Sequence, residues 1–181
     1  MWQKDNSPNR KFAVLNWAEA LESKQCYTEA TEKCREAISI DPEYAGAHNL
    51  LGIVLAAEED FDEAIGEFRI ADALWQKDNS DDRKLALLSW ANALKSKKLY
   101  KQAAKKCREA ISLDPDYPTA YHLLGSVLAV QERLDAAIAQ YRKADALSKI
   151  SGSSDRKQVL WHWAGALHSK ENLITHDPQP I

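Results

Sequence analysis

Histidine, cysteine and paired carboxylate side chains are the groups in this sequence that could do catalysis or hold a metal ion. The five histidines stand at positions 48, 122, 162, 168 and 176. No two of them are four residues apart, and no cysteine or carboxylate lies beside them at the spacing of zinc ligands. The sequence also lacks a glycine-rich phosphate loop and the motifs G-x-S-x-G and H-E-x-x-H. We therefore expect no catalytic residue, no metal, no cofactor and no enzymatic activity.

The three cysteines are better explained by packing than by chemistry. An odd number does not make a disulfide framework, so the sequence favours a reducing, cytoplasmic setting. Cys34 and Cys107 occupy equivalent places in a repeated pattern, and Phe68 and Tyr141 fill the matching places of its other half. We predict that both thiols are small, buried core groups.

Length and composition indicate helices. The chain has 181 residues, of which 45% are hydrophobic and only 6 are glycine and 6 proline. Ala, Leu, Glu and Lys dominate, which favours helix over strand. The longest apolar run, 50–57, is far short of the roughly 20 residues that cross a bilayer, so we expect no membrane partner.

An internal repeat must organise these helices. Comparison of residues 2–74 with 75–147 gives 44 identities at an offset of 73 residues, with WQKDNS, CREAIS and ADAL among the recurring segments. Each unit contains helical stripes, such as Val14, Trp17, Ala18 and Leu21, followed by a polar break and a second stripe. A single hairpin of this kind cannot bury its apolar face alone, so the hairpins are expected to stack.

The offsets resemble those of the tetratricopeptide repeat family, whose signature places a large residue, Leu-Gly, Tyr, Ala, Phe and Pro at fixed positions. Leu51-Gly52, Ala64, Phe68 and Ala71 carry this signature, and the same pattern returns 73 residues later. The resemblance implies an all-α, right-handed superhelical solenoid of antiparallel helix pairs, with about nine helices in one domain over 1–181. Its repeats would cover 11–44, 45–83, 84–117 and 118–156, with a partial repeat or capping helix at 157–173 and an irregular tail at 174–181. The five extra residues of the longer repeats should lengthen their second helix.

The resemblance also implies a binding surface. In this family the first helix of each repeat lines a concave groove. The positions carried over to this sequence are Phe12, Leu15, Glu19, Asn49, Ile53, Leu85, Leu88, Asn92, His122, Ser126 and Trp161. Their mixture of apolar, amide and imidazole groups suits an extended peptide or a helix of a protein partner. Some of the leucines could instead pack on neighbouring helices.

Charge and the last helix offer an alternative. Residues 1–74 carry 7 basic and 15 acidic side chains, whereas 75–147 carry 13 and 9. A chain polarised in this way could associate with itself, and the apolar helix near 157–173 lacks a partner helix. The residues expected to take part in self-association are Trp161, Trp163, Leu167, Lys101 and Lys105. The lysines lack interleaved aromatic groups and the pI is near 6.0, so nucleic acid is not an expected partner.

The sequence thus predicts a non-catalytic protein-interaction scaffold that binds a peptide or helix in its groove. One alternative is a module that self-associates head to tail or by helix exchange, giving a homo-oligomer. Another is a regulatory array that belongs to a larger protein or enzyme.

Overall fold

The structure is a computed structural model that describes residues 9–152 and 156–176, with side chains as far as Leu173. Every regular element in these two ranges is an α-helix. The helices are α1 (Arg10–Ser23), α2 (Tyr27–Ile40), α3 (Ala45–Ala57), α4 (Phe61–Lys77), α5 (Arg83–Ser96), α6 (Tyr100–Leu113), α7 (Pro118–Val130), α8 (Leu134–Ser151) and α9 (Arg156–His176).

The helices form two compact units, and each is described separately. Unit 1 contains α1 to α5 and ends at Lys97, whereas unit 2 begins at Lys98 and contains α6 to α9. In unit 1, α1 pairs with α2 and α3 with α4, while α2 packs on α3 and α4 on α5. Helices α1 and α5 also both contact α3, so the three first helices form one layer. In unit 2, α7 lies between α6 and α8, and α9 packs mainly on α8.

A left-handed residue ends the first helix of each pair. Gln25, Glu59, Lys98 and Glu132 have φ values of 61°, 66°, 60° and 59°. After Gln25, Glu59 and Glu132, the next residue donates its N–H to the carbonyl five positions earlier, as from Asp60 to Leu55 at 2.9 Å. This bond satisfies a carbonyl that the helix end would otherwise leave without a donor, and it reverses the chain.

Glycine sets the closest approach between paired helices. A Cβ on Gly52 of α3 would lie 2.7, 2.8 and 3.0 Å from three ring atoms of Phe68 in α4. A Cβ on Gly125 of α7 would meet Tyr141 of α8 in the same way, at 2.7, 2.8 and 3.1 Å. Each aromatic ring is therefore seated directly on a glycine, which is the packing role that the repeat pattern gives to these positions.

The longer repeats do extend their second helix, as the sequence predicts. Helices α4 and α8 have 17 and 18 residues, compared with 14 each for α2 and α6. An arginine at the start of the next helix bonds to an aspartate on each long helix: Arg83 Nε to Asp72 and Arg156 Nε to Asp145, both at 2.6 Å. Helix α9 runs to His176, beyond the end predicted at 173, and the rest of the predicted tail, 177–181, lies outside the described residues.

The cysteine prediction is confirmed, because Cys34 and Cys107 are both fully buried. Burial, with smaller contributions from the charges of Glu19 and Glu67, raises the pKa of the Cys34 thiol to about 12. A thiol held in this protonated form is a poor nucleophile.

The buried His48 links α3 to its neighbours. Its Nδ1 lies 2.7 Å from a Glu67 carboxylate oxygen and its Nε2 lies 3.0 Å from the carbonyl oxygen of Pro42. The hydrogen bond to Glu67 is the main reason that the pKa of His48 is raised, although burial opposes it. In unit 2 the Tyr121 hydroxyl donates to the carbonyl of Pro115 at 3.0 Å, so the two side chains make the same contact with their preceding loops.

Candidate partner-binding groove

The first helices of unit 1 carry two cavities along one face of α3. Gly46, Asn49, Ile53 and Ala56 follow one another at intervals of three and four residues, so they share this face. Gly46 lines one cavity, and Ile53 and Ala56 line the other. We call this face with its two cavities the unit 1 groove.

The first cavity, of about 540 Å³, is acidic and aromatic. We call it the acidic cavity. Its charged and aromatic lining residues are Lys11, Phe12, Glu19, Asp41, Glu43, Tyr44, Trp75, Asp78 and Asp82. These side chains come from α1, from the loop before α3 and from the end of α4 with the loop after it. The cavity therefore exists only because two successive hairpins are stacked.

The walls of the acidic cavity are ordered by contacts among themselves. The rings of Phe12 and Tyr44 meet edge to face with centroids 5.4 Å apart. The Lys11 ammonium lies 5.1 Å from both centroids and donates a hydrogen bond to Asp41 at 2.5 Å. That bond is the main reason that the pKa of Asp41 is lowered. Burial, and then the charge of Glu19, raise the pKa of Tyr44.

The second cavity, of about 290 Å³, is more apolar. We call it the apolar cavity. It is lined by Ile53, Ala56, Phe61, Phe68, Ser89, Asn92, Ala93 and Ser96. Helix α3 supplies one wall, α4 supplies two phenylalanine rings and α5 supplies the polar rim. A cavity with this lining suits one apolar side chain of a bound segment.

Asn49 lies between the two cavities on the same face of α3. Its side-chain oxygen is buried and has no hydrogen-bond donor within the described residues. An amide oxygen in that position loses water without gaining a partner, which costs about 1–3 kcal/mol.

In unit 1 the structure divides the residues predicted to line the groove into three groups by exposure. Phe12 and Leu85 expose 46% and 40% of their surface, and Glu19 and Asn92 are also exposed. Asn49 and Ile53 are half-buried. Leu15 and Leu88 are only 5% and 6% exposed, so they pack between helices and offer little surface to a ligand.

In unit 2 the exposed fraction differs among the three residues predicted to line the groove, His122, Ser126 and Trp161. His122 and Ser126 are half-buried on α7, whereas Trp161 is 75% exposed on α9. His122 Nε2 lies 3.0 Å from Nδ1 of His162, which is also 2.9 Å from the carbonyl oxygen of Gln158. This contact joins positions 40 residues apart, and nothing in the sequence indicates it.

The residues predicted for self-association are mostly accessible. Trp161, Leu167, Lys101 and Lys105 are exposed. Trp163 is half-buried, and the guanidinium carbon of Arg142 on α8 lies 5.8 Å from its ring centroid, so this side chain packs within unit 2.

Within the described residues, no group of three or more His, Cys, Asp or Glu side chains is arranged to hold a metal ion. No helix in the same residues is long and apolar enough to cross a membrane.

Helix pairs that stack one on the next along the chain define the class of helical repeat proteins. Comparison with protein families narrows this class. Family models described as "Tetratricopeptide repeat" match residues 15–79 and 118–150, and one described as "TPR repeat" matches 91–132. The chain belongs to the tetratricopeptide repeat family, whose repeats typically build non-catalytic scaffolds for protein interaction.

Solved structures agree with this fold. A chain in the crystal structure of the APC/C hetero-tetramer Cut9-Hcn1 superimposes with a TM-score of 0.75 at 17% identity. That match covers 87% of the present chain, which spans only 30% of the other chain's length. The crystal structure of MamA protein gives a TM-score of 0.63 at 16% identity and covers 96% and 98% of the two chains. At these identities the likeness shows the all-α tetratricopeptide fold alone. No curated protein matches the sequence.

Proposed function

We propose that this protein is a non-catalytic interaction scaffold whose unit 1 groove binds an extended or helical segment of a protein partner. The observation that carries the proposal is the pair of cavities on one face of α3. A surface with two pockets can fix both the position and the register of a bound segment.

The test uses Phe12, which lines the acidic cavity and is exposed enough to be replaced without opening the core. Peptides are selected on the whole protein from a random display library of about twelve residues, roughly 40 Å when extended. Affinities are then measured by fluorescence anisotropy. Phe12→Ser should weaken binding by about tenfold, because a contact of about 1.4 kcal/mol is lost.

Ile70 provides the matched control. It is similarly exposed, at 40%, but lies on α4 and lines neither cavity of the groove. Ile70→Ser should leave the affinity of the selected peptides unchanged. If the peptides bind Phe12→Ser as tightly as the unaltered protein, the groove is not their binding site.

A second candidate function, self-association, is favoured by the surface of α9. Leu160, Trp161, Leu167 and Leu173 of this helix are all exposed large apolar side chains. Sedimentation equilibrium over a wide concentration range should then show an oligomer, and Trp161→Glu should dissociate it. Weakening by salt would point to charge as the driving force, whereas insensitivity to salt would point to the apolar face of α9. A protein that stays monomeric at every concentration would exclude this function.

A further inference from the structure

The acidic cavity contains more negative charge than its own residues neutralise. Five carboxylates and one ammonium line it, for a formal net charge of −4. Lys11 is paired with Asp41, and Lys77 reaches Glu43 from outside at 3.1 Å. Among the described residues, Glu19, Asp78 and Asp82 have no cationic partner.

The side chain of Lys11 places one cation of the protein itself in the acidic cavity. The Lys11 ammonium combines a carboxylate hydrogen bond with contacts to the faces of two aromatic rings, Phe12 and Tyr44. Aromatic faces and carboxylates together are the usual surroundings of a bound ammonium or guanidinium group. Trp75 provides a third ring on the lining, in the same cavity as the three carboxylates without a cation.

Two of the five carboxylates and the indole are not retained 73 residues further along the chain, whereas Asp41, Glu43 and Asp82 correspond there to Asp114, Asp116 and Asp155. Residues 73 positions after Glu19, Trp75 and Asp78 are Asn92, Ser148 and Ser151. The helices of the second copy form with these neutral residues in place. The two carboxylates and the indole are therefore not required for helices of this type to form.

The two cavities are separated by a defined distance. Gly46 and Ile53 are seven residues apart on α3, which corresponds to about 10 Å along the helix axis. An extended chain covers about 3.3 Å per residue, so that separation corresponds to roughly three residues of a bound strand.

Given the proposed function, on which this step rests, we infer that the unit 1 groove recognises a cationic segment of its partner. A Lys or Arg side chain enters the acidic cavity beside Glu19, Asp78 and Asp82. An apolar side chain about three residues away fills the apolar cavity near Ile53, and the backbone between them passes Asn49. The partner is a protein with an exposed basic and apolar segment.

The experiment uses peptides selected from the random library on the whole protein. They should be enriched in Lys or Arg with an apolar residue about three positions away. The double variant Glu19→Asn with Asp78→Ser copies residues of the second repeat and should retain the fold, checked by circular dichroism. It should weaken binding about tenfold, since two screened charge pairs are lost, and should reduce its dependence on salt.

Control variants separate this site from general charge. Glu29→Gln with Glu32→Gln removes the same two charges from exposed positions of α2 outside both cavities, and should change the affinity little. Ile53→Ser, again the residue of the second copy, should weaken binding without changing its salt dependence.

The outcomes distinguish the two proposals. Peptides that depend on Phe12 but lack a basic residue, or that ignore the Glu19 and Asp78 changes, would overturn the cationic inference and leave the groove in place. Peptides affected equally by the α2 control variant would also overturn it, because bulk charge would explain binding. If no selected peptide depends on Phe12, both proposals fail.

Discussion

The contact between Gly52 and Phe68 provides a quantitative test of the packing. Gly52→Ala adds one methyl group where three atoms of a buried ring would lie 2.7–3.0 Å away. The Phe68 ring is 1% exposed, so it has little room to move. Gly66, in α4, is the matched control, because a Cβ added there meets nothing within 4 Å.

The two variants share one favourable contribution and differ in one cost. Replacing a helical glycine by alanine stabilises a helix by about 0.5–1 kcal/mol. Overpacking a close-packed core costs about 1–3 kcal/mol. Gly66→Ala should therefore raise the free energy of unfolding by up to about 1 kcal/mol, and Gly52→Ala should fall about 1–3 kcal/mol below it.

Urea unfolding followed by circular dichroism measures this difference. The slope of the unfolding free energy with urea should be compared as well, since repeat proteins can unfold in parts. Phe68→Leu should make room for the added methyl group. The double variant should therefore lose less stability than the two single variants lose together. Equal stability of the Gly52 and Gly66 variants would refute the close approach of α3 and α4.

Two further predictions concern pH. His48 has a raised pKa, so its pairing with Glu67 stabilises the fold below the unfolded value of about 6.5, and this stability is lost as pH rises through the folded value. Glu67→Gln should flatten the decline in unfolding free energy between about pH 6 and 8; an unchanged slope would show that the pair does not titrate with folding. Burial alone would raise the pKa of Asp145, but hydrogen bonds from Arg156 and Lys149 outweigh it and lower the pKa. Stability from Asp145 should then be lost as pH falls below about 4, and Asp145→Asn should remove that loss in acid melts, while retention of the full loss would contradict the assignment.

Periodicity in the sequence is sufficient to predict the helices and their pairing. The repeat signature assigns Gly52 and Phe68 to paired helices, and the structure shows that they are in contact. Spacing cannot give the rotation of each helix about its axis to within one residue. For example, both Phe12 and Leu15 of α1 are predicted to line the groove, but in the structure Phe12 is exposed and Leu15 is buried.

Contacts between distant repeats are the other part that sequence could not supply. The pair His122 and His162 depends on how α9 packs beside α7. The acidic cavity likewise collects side chains from Lys11 to Asp82, which no local pattern connects. The charge count of residues 1–74 did indicate a surplus of acid, but only stacking of the hairpins gathers it into one cavity.

The four left-handed residues that end the first helices have a consequence for protein engineering. None of Gln25, Glu59, Lys98 and Glu132 is a glycine. The left-handed conformation that each adopts costs a residue other than glycine about 1 kcal/mol. The natural chain thus leaves stability unused at the same place in every repeat. Because the geometry recurs, a glycine that proves beneficial at one turn can be copied to the other three. The 73-residue unit is for the same reason a ready-made building block, from which longer arrays with a chosen number of grooves could be assembled.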